Sequence, residues 1–575
     1  LPILGILLAA AQFAAATDDY LKLIPDSAWG FVAVNRFADV NEKAQSIFEE
    51  MQLPKSNWLE LFKRDSGIQE GMDEKGTIVF LVLASENGTP VPTIVILIPV
   101  SDYAKYLASL NPKSETEEVT EVNFFKKNSL SRRLGNYAAL AELTSRNTLE
   151  SLKVADEVSP VMKPWSDWNA TQDAAGVIFQ PGIKEASSKA QMWINMMKMV
   201  LGQAGEQGKK AAAAFGMYEK LCQKIEKEVS SAGVGLQLDG EKTLRITKRA
   251  LLNADGGWAN AMTQVPTAKG DLLKGLPADP IVAAGGIAVS DALIDQMMKS
   301  SFELMKSMPD FYGLSDDQIA KISDLAKAKF KGIRSVSMSM GVGESGDPIY
   351  ANMLAIARVE NAIAFIESYE KYFEQYNDAI RGSNSPVMQP VEAERIEIAG
   401  KSALQCKMKM PEPPAGQKPP NYEKLMENLI GPGDNFVFWL APADEHTVVI
   451  GQVNKKLLEQ AIASIRENKP GLESDASVKK TAAMLPADAP AVIYVSPQGT
   501  VEFFKRMMPA VMPPNVPLNF NIPDFPQTSP LGISMKAAPN EVQATLVVPT
   551  DVLKGIGQYI RYIKGMSNGA VTVNP

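Results

Sequence analysis

LPADAPAVIYV, residues 485–495, is the stretch whose reading decides the fold. Leu485 and Pro486 open it, and Ala491–Val495 closes it as a short apolar run. A near-copy, LPADPIVAAGGIAV, starts at Leu276, and a looser one, IPDSAWGFVAVN, at Ile24. Proline fixes φ and donates no backbone hydrogen bond, so it suits the entrance of a strand and not its interior. The apolar runs read as strands. FADVNEKAQSIFEEM, SDALIDQMMKSSFELMKSM and GTVEFFKRMM follow them, with apolar residues at the i, i+3, i+4 and i+7 positions of amphipathic helices. DAAGVIFQPG, from Asp173, reads as a fourth copy that lacks the Leu-Pro.

Two further patterns recur. A strand, a turn, a strand and a helix are read from Thr77, with Asn87-Gly88 supplying the positive φ of a tight hairpin turn, and again from Ser335 and Leu531. The hairpin from Val234 has only a weak helix after it. The junctions LIPVSDYAKYL and LVVPTDVLKGI match closely: a strand stops at proline and Ser/Thr-Asp caps the next helix. An apolar strand before a short helix occurs from Asn136 and from Thr447. In chain order these modules predict an internally duplicated α+β fold, with antiparallel sheets covered by helices in two related halves. The expected boundaries are a leader at 1–16, a first half at 17–255, a connector at 256–269 and a second half at 270–575. Pro-rich loops are expected at 410–423 and 507–530 within the second half. Uneven spacing argues against a solenoid, whose repeats keep a regular period.

The leader LPILGILLAAAQFAAAT is apolar and ends in small residues, with Ala14 and Ala16 in the A-x-A positions of a signal peptide. It is too short to span a bilayer. Cleavage near Ala16 and export to the periplasm or the outside follow as expectations, with no transmembrane segment in the mature chain. At 575 residues the chain is too long for one core. A net charge of −8 argues against nucleic acid as the partner, since phosphate binding needs a dense basic surface. An exported chain can bridge its two cysteines, Cys222 and Cys406, or keep them as buried thiols; spacing does not decide between the two.

Together, the Leu-Pro-Ala-Asp-Ala phrase, the strand and helix after it and the export leader resemble uncharacterised exported bacterial proteins known from planctomycete-type genomes. The resemblance implies export and architecture; it carries no activity and no site residue.

Sites of familiar chemistry are scarce in the sequence. The single histidine, His446, falls in a predicted hairpin turn, without the orienting partner and nucleophile that a catalytic histidine needs. GVGESG (341–346) has glycine spacing that suits a dinucleotide loop, but a strand pattern follows it where a helix is required. SETEEVTE (114–121) reads as a solvated charge run and KKNSLSRR (126–133) as a basic hairpin. No catalytic residue, cofactor or metal is expected. Methionine is abundant, 26 residues, and Met192, Met196 and Met199 share a helical face that serves either a core or an adaptable groove. The Pro-rich segment 507–530 excludes helix and central strand, yet is rich in apolar residues. It is the expected place of ligand or partner contact, through Met507, Met508, Met512, Phe520 and Phe525. The expected function is a non-catalytic exported binding or envelope protein whose partner is a protein, a glycan or a lipid. The alternatives are a carrier of a lipid-like ligand and, third, an exported hydrolase.

Overall fold

A computed structural model describes residues 19–86, 91–114, 117–203, 205–239, 243–267, 272–278, 280–306, 312–344, 347–383, 385, 388–410, 422–433, 435–511 and 522–569. The expected leader, the Asn87-Gly88 turn and most of the 410–423 loop lie outside the described residues. The fold is mixed α and β with antiparallel strand pairing. The chain divides into two compact units, residues 1–188 with 229–251 and residues 189–228 with 252–575.

In the first unit the strands are β1 (Gly30–Val34), β2 (Ile78–Leu83), β3 (Thr93–Pro99), β4 (Val119–Phe124), β5 (Lys127–Leu134), β6 (Tyr137–Glu142), β7 (Ala174–Phe179), β8 (Val229–Leu238) and β9 (Leu244–Leu252). They pair in the order β4-β5-β6-β3-β2-β1-β7-β8, every pair antiparallel. β9 runs back beside β8, where the Ser230 hydroxyl donates to the Leu251 carbonyl at 3.0 Å. The helices are α1 (Phe37–Glu50), α2 (Trp58–Ser66), α3 (Tyr103–Ser109), α4 (Arg146–Ser151) and α5 (Lys163–Ala170). Alternation along the strands sends Phe31, Ala33, Leu81, Leu97 and Val177 into a core with Trp165 and Trp168 of α5 and Leu149 of α4. Ile78, Ile98 and Leu140 join a second core with Leu59 of α2 and Tyr106 of α3. The predicted Ser-Asp junction holds: Asp102 caps α3 by accepting the Lys105 N–H.

Two long helices, α6 (Gln180–Gly202) and α7 (Gly205–Glu228), connect β7 to β8.

The second unit holds β10 (Ile281–Ala288), α8 (Asp291–Met305), α9 (Asp316–Phe330), β11 (Ile333–Gly341), β12 (Met353–Val359), α10 (Ala362–Ile380), β13 (Val391–Ile398), β14 (Lys401–Lys409), β15 (Asn435–Pro442), β16 (Thr447–Gln452), α11 (Lys455–Arg466), α12 (Ala476–Ala482), β17 (Ala491–Val495), α13 (Pro497–Val511), β18 (Leu531–Ala538), β19 (Glu541–Val548) and α14 (Thr550–Gly569). Its strands pair antiparallel in the order β13-β14-β15-β16-β12-β11-β10-β17-β18-β19. One core joins α8, α9 and α10 to strands β13–β16 through Ile319, Ile322, Phe365, Phe373, Leu404 and Leu440. Another gathers Leu276, Ala284, Ile356, Tyr494 and Val547 with Leu485, the first residue of the quoted phrase.

That phrase is a turn that delivers a strand. The Pro486 carbonyl accepts the Ala489 N–H at 3.3 Å before β17, and the Pro25 carbonyl accepts the Ala28 N–H at 3.0 Å before β1. The three proline-led strands do not all take one position. β1 and β10 each start their unit and lie between the hairpin strand that follows and a later strand; β17 is that later neighbour of β10. β7, which the sequence pattern read as a fourth copy without Leu-Pro, is the later neighbour of β1.

Candidate functional site

In the second unit a cavity of about 930 Å³ opens at the start of β10, bounded by the loop after β11, the N-termini of α11, α12 and α13, and residues 524–530 of the Pro-rich segment. All three helices enter with a capping side chain. Asn454 accepts from Leu457 N–H at 3.1 Å, Asp475 from Ser477 and Val478 N–H at 2.8 and 3.0 Å, and Ser496 from Gly499 N–H at 3.0 Å. These bonds hold the Asp475 carboxyl below its usual range, the Ser477 hydroxyl most strongly and against the opposing effect of burial. Gly499 lets α13 start directly on β10, since a Cβ there would sit 2.0 Å from the Ile281 carbonyl oxygen.

The loop wall is pinned by Arg506 of α13. Its guanidinium donates to the Asp347 carbonyl at 2.8 Å and to the Val342 carbonyl. The loop keeps its own turn through Asp347, whose carboxylate accepts the Glu344 N–H.

The Pro-rich wall is tied down at several points. Phe525 is buried, 7% exposed, and packs with its ring tilted 48° to that of Tyr559 of α14, centroids 5.6 Å apart, over Gly555, where a Cβ would meet its ring at 2.9 Å. Ser529 donates its N–H and hydroxyl to Asp551 at 2.9 and 2.7 Å, and the Thr481 hydroxyl donates to the Pro530 carbonyl at 2.8 Å. Lys505 pairs with Asp524.

The cavity lining is polar and apolar in about equal measure, and its polar part is mainly amide, hydroxyl and carboxylate. Asn352, Asn454, Gln460, Gln498 and Gln527 supply amides, and Lys456 is the one cation among the lining residues. Asp475 and Asp524 are engaged in the cap and the ion pair, whereas Glu344 and Glu502 have no ion-pair partner among the described residues. The Thr528 hydroxyl is buried and makes no hydrogen bond. Such a surface offers acceptors and donors to a polar ligand.

Of the residues expected from sequence, Phe525 lines this cavity, although it is also the anchor that fixes the wall. Met507 and Met508 lie half-buried near the end of α13 and are not among the lining residues. Met512 and Phe520 lie outside the described residues. The capping signals at Asn454, Asp475 and Ser496 are legible in the sequence; their convergence on one space is a property of the ladder order.

The other singled-out motifs have structural settings. His446 is exposed in the β15–β16 turn, its Nδ1 2.7 Å from the Glu360 carbonyl oxygen. The first glycines of GVGESG end β11 and lead to a 3₁₀ turn and strand β12, with Gly343 at φ +74°. The basic run begins in the two-residue β4–β5 turn, where Phe125 and Lys126 both have positive φ. Cys222 and Cys406 are both free thiols. Among the described residues no group of three or more His, Cys, Asp or Glu side chains is placed to hold a metal ion, and no helix is long and apolar enough to cross a membrane.

A second cavity, about 690 Å³, lies at the opposite end of β10, where Lys274, Arg334 and Arg358 face Asp291. Arg334 is paired with Glu360, and the Arg358 guanidinium donates to Thr447 Oγ1 at 2.8 Å and to the Lys274 carbonyl at 3.2 Å. Asp291 and Glu360 offset two of these three positive charges.

Comparison of the chain with protein-family models, curated proteins and solved structures gave no match.

Proposed function

We propose that the chain is a non-catalytic binding protein of the cell envelope, built by duplication of one β-sheet unit, and that the cavity under residues 524–530 takes a hydroxyl- and amide-bearing ligand of glycan type. The observation that carries the ligand class is the lining: free carboxylates at Glu344 and Glu502, amides at Asn352, Gln460 and Gln498, and the unpartnered Thr528 hydroxyl. A hydroxyl-rich ligand satisfies such groups in both directions, whereas a lipid tail leaves them unpaired at a cost. Duplication is supported by the two ladder orders, which match strand for strand when β13 is set aside as an added edge. Export rests on the leader sequence and on the resemblance described above.

The test is binding of the labelled protein to an array of bacterial envelope glycans, followed by calorimetry with the best binder. Glu502→Gln and Gln498→Ala are expected to weaken binding about tenfold each, the worth of a hydrogen bond to a charged or well-placed group, at unchanged melting temperature. An empty array, or affinity indifferent to both changes, overturns the assignment.

A second reading, a carrier of a lipid-like ligand, is favoured by one observation: each unit leaves apolar side chains exposed on a sheet face, Val32, Ile94 and Val234 in the first and Met338 and Ile493 in the second. Native mass spectrometry of protein purified from its source separates the two, by a bound lipid or a bound saccharide mass.

A further inference from the structure

The connection between β7 and β8 exposes more apolar surface than its packing explains. On α6, Met192, Trp193, Met196, Met199 and Val200 are each 49–67% exposed. Their spacing places them on one helical face, while Ile194 turns inward at 3%. On α7, Tyr218, Leu221 and Ile225 form a second exposed stripe at i, i+3 and i+7. The stripes adjoin: Trp193 and Tyr218 both pack on Phe215, at ring separations of 5.8 and 6.1 Å. Lys198 and Glu219, 2.6 Å apart, tie the helices together. Contiguous exposed apolar area of this kind marks an interaction surface.

Charge identifies the occupant. Residues 180–228 hold eight lysines and five glutamates, with no arginine and no aspartate, inside a chain whose net charge is −8. This connection is therefore a basic, apolar element of an acidic protein. A second copy of the same stripe brings like charge against like. A negatively charged lipid surface complements it, and Trp, Met and Leu flanked by Lys is the composition that settles at a headgroup boundary. The helices are not apolar enough to cross the bilayer, so the geometry is that of lying flat.

We propose that α6 and α7 form a docking surface for anionic lipid membranes, with the Met192–Val200 stripe and the Tyr218–Ile225 stripe in the acyl boundary, and with the lysines of the connection, Lys220 and Lys227 among them, adding long-range attraction to the anionic surface. The proposal stands apart from the cavity and its ligand, since the two involve different residues and different assays.

The experiment is co-flotation of the full chain with vesicles of phosphatidylcholine alone and of phosphatidylcholine mixed with phosphatidylglycerol. Binding to the anionic vesicles is expected to exceed binding to the neutral ones by roughly tenfold or more. A variant carrying Met192→Ser, Met196→Ser, Met199→Ser and Val200→Ser is expected to lose that binding while keeping the wild-type circular dichroism spectrum and melting temperature, because these four side chains are about half exposed or more and none makes the Phe215 ring contact. Lys220→Gln with Lys227→Gln, which leaves the apolar stripe intact, is expected to reduce the preference for anionic vesicles. Failure of the wild-type protein to float with anionic vesicles overturns the proposal. So does equal flotation of the serine variant, or a wild-type dimer in analytical ultracentrifugation that the serine variant abolishes, which would assign the stripe to self-association.

Discussion

Gly285 stands directly opposite Ile493 in the β10–β17 ladder, and a Cβ built on Gly285 would lie 2.5 Å from the Val492 carbonyl oxygen. The first unit has the same arrangement: Gly30 stands opposite Ile178, and its Cβ would lie 2.3 Å from the Val177 carbonyl oxygen. In both pairs the proline-led strand approaches its neighbour too closely for any side chain, and backbone cannot give way as a flexible side-chain end can. Gly30→Ala and Gly285→Ala are each expected to destabilise the protein by about 1–3 kcal/mol, the range for forcing extra atoms into packed structure. Urea unfolding measures it; a neutral result at both positions would show that the close approach is not a constraint on the fold.

Lys329 of α9 is 5% exposed, with its ammonium 3.3 Å from the Tyr369 ring centroid and 3.9 Å from that of Phe365. It donates to the Phe365 carbonyl at 2.9 Å and to Ser368 Oγ at 2.6 Å. The rings favour the charged form, but burial without a carboxylate opposes it and pulls the pKa down to about 7. Between that value and about 10.4, the unfolded lysine's pKa, the unfolded chain binds the extra proton, so stability contributed by this site rises with pH across the window. Below pH 7 both states are protonated and the burial cost is fully present. Lys329→Met is therefore expected to stabilise by at least about 1 kcal/mol in acid, as replacement of buried charge by apolar volume does. The gain should shrink as pH rises through the window. Chemical denaturation at several pH values checks this; a variant less stable than wild type throughout would mean the rings and hydrogen bonds outweigh burial.

The two thiols should behave differently. Cys406 is fully buried on β14, and burial pushes its pKa up to about 12, which leaves almost no thiolate at neutral pH. Cys222 is a half-buried free thiol on α7. Titration of the native protein with a disulfide reagent at pH 8 is expected to release one equivalent promptly from Cys222. The second should appear only on unfolding. Prompt release of two equivalents, or retention of reactivity in Cys222→Ser, would contradict this placement.

How much of this was legible in the sequence follows from what each signal encodes. Proline before an apolar run, as at Pro25 and Pro486, reports a local turn, and that turn is present in both places. Apolar spacing reported helix or strand correctly along most modules, because burial on one face is itself periodic. The position of a strand in its ladder is not local. Nothing in the composition of the apolar runs IVAAGGIA and AVIYV separates β10 from β17 by position, and so a shared phrase did not mean a shared position. Likewise Asn454, Asp475 and Ser496 were each readable as caps, but they are brought to one cavity by the β10–β17 and β12–β16 pairings across long stretches of chain. Phe525 was singled out as a contact residue for its apolar character. The same character seats it against Tyr559 and leaves the polar work of the cavity to residues with no distinctive motif.

One of the ties on the wall that Phe525 anchors is a carboxylate. Asp551, in the first turn of α14, accepts both the N–H and the hydroxyl of Ser529 and pairs with Lys480 at 3.3 Å. Burial alone would raise its pKa; the Ser529 bonds and the Lys480 charge outweigh that and lower it. A carboxylate with a depressed folded pKa stabilises above its unfolded value, about 3.9, and loses that contribution as pH falls through the folded one. Asp551→Ala leaves the Ser529 N–H and hydroxyl unpaired next to the cavity, at an expected cost of about 1–3 kcal/mol. Asp551→Asn keeps an acceptor but no charge, and should lose less at neutral pH while removing this site's share of the acid sensitivity. Protection of the Ser529 amide from hydrogen exchange is the local readout: expected lower in Asp551→Ala than in wild type at pH 7, and in wild type lost only as pH falls below the unfolded carboxyl's value of about 3.9. If exchange at Ser529 is unaffected by Asp551→Ala while global stability falls, Asp551 serves α14 and not the wall. The segment is then held over the cavity by Phe525, Pro530 and the Lys505–Asp524 pair.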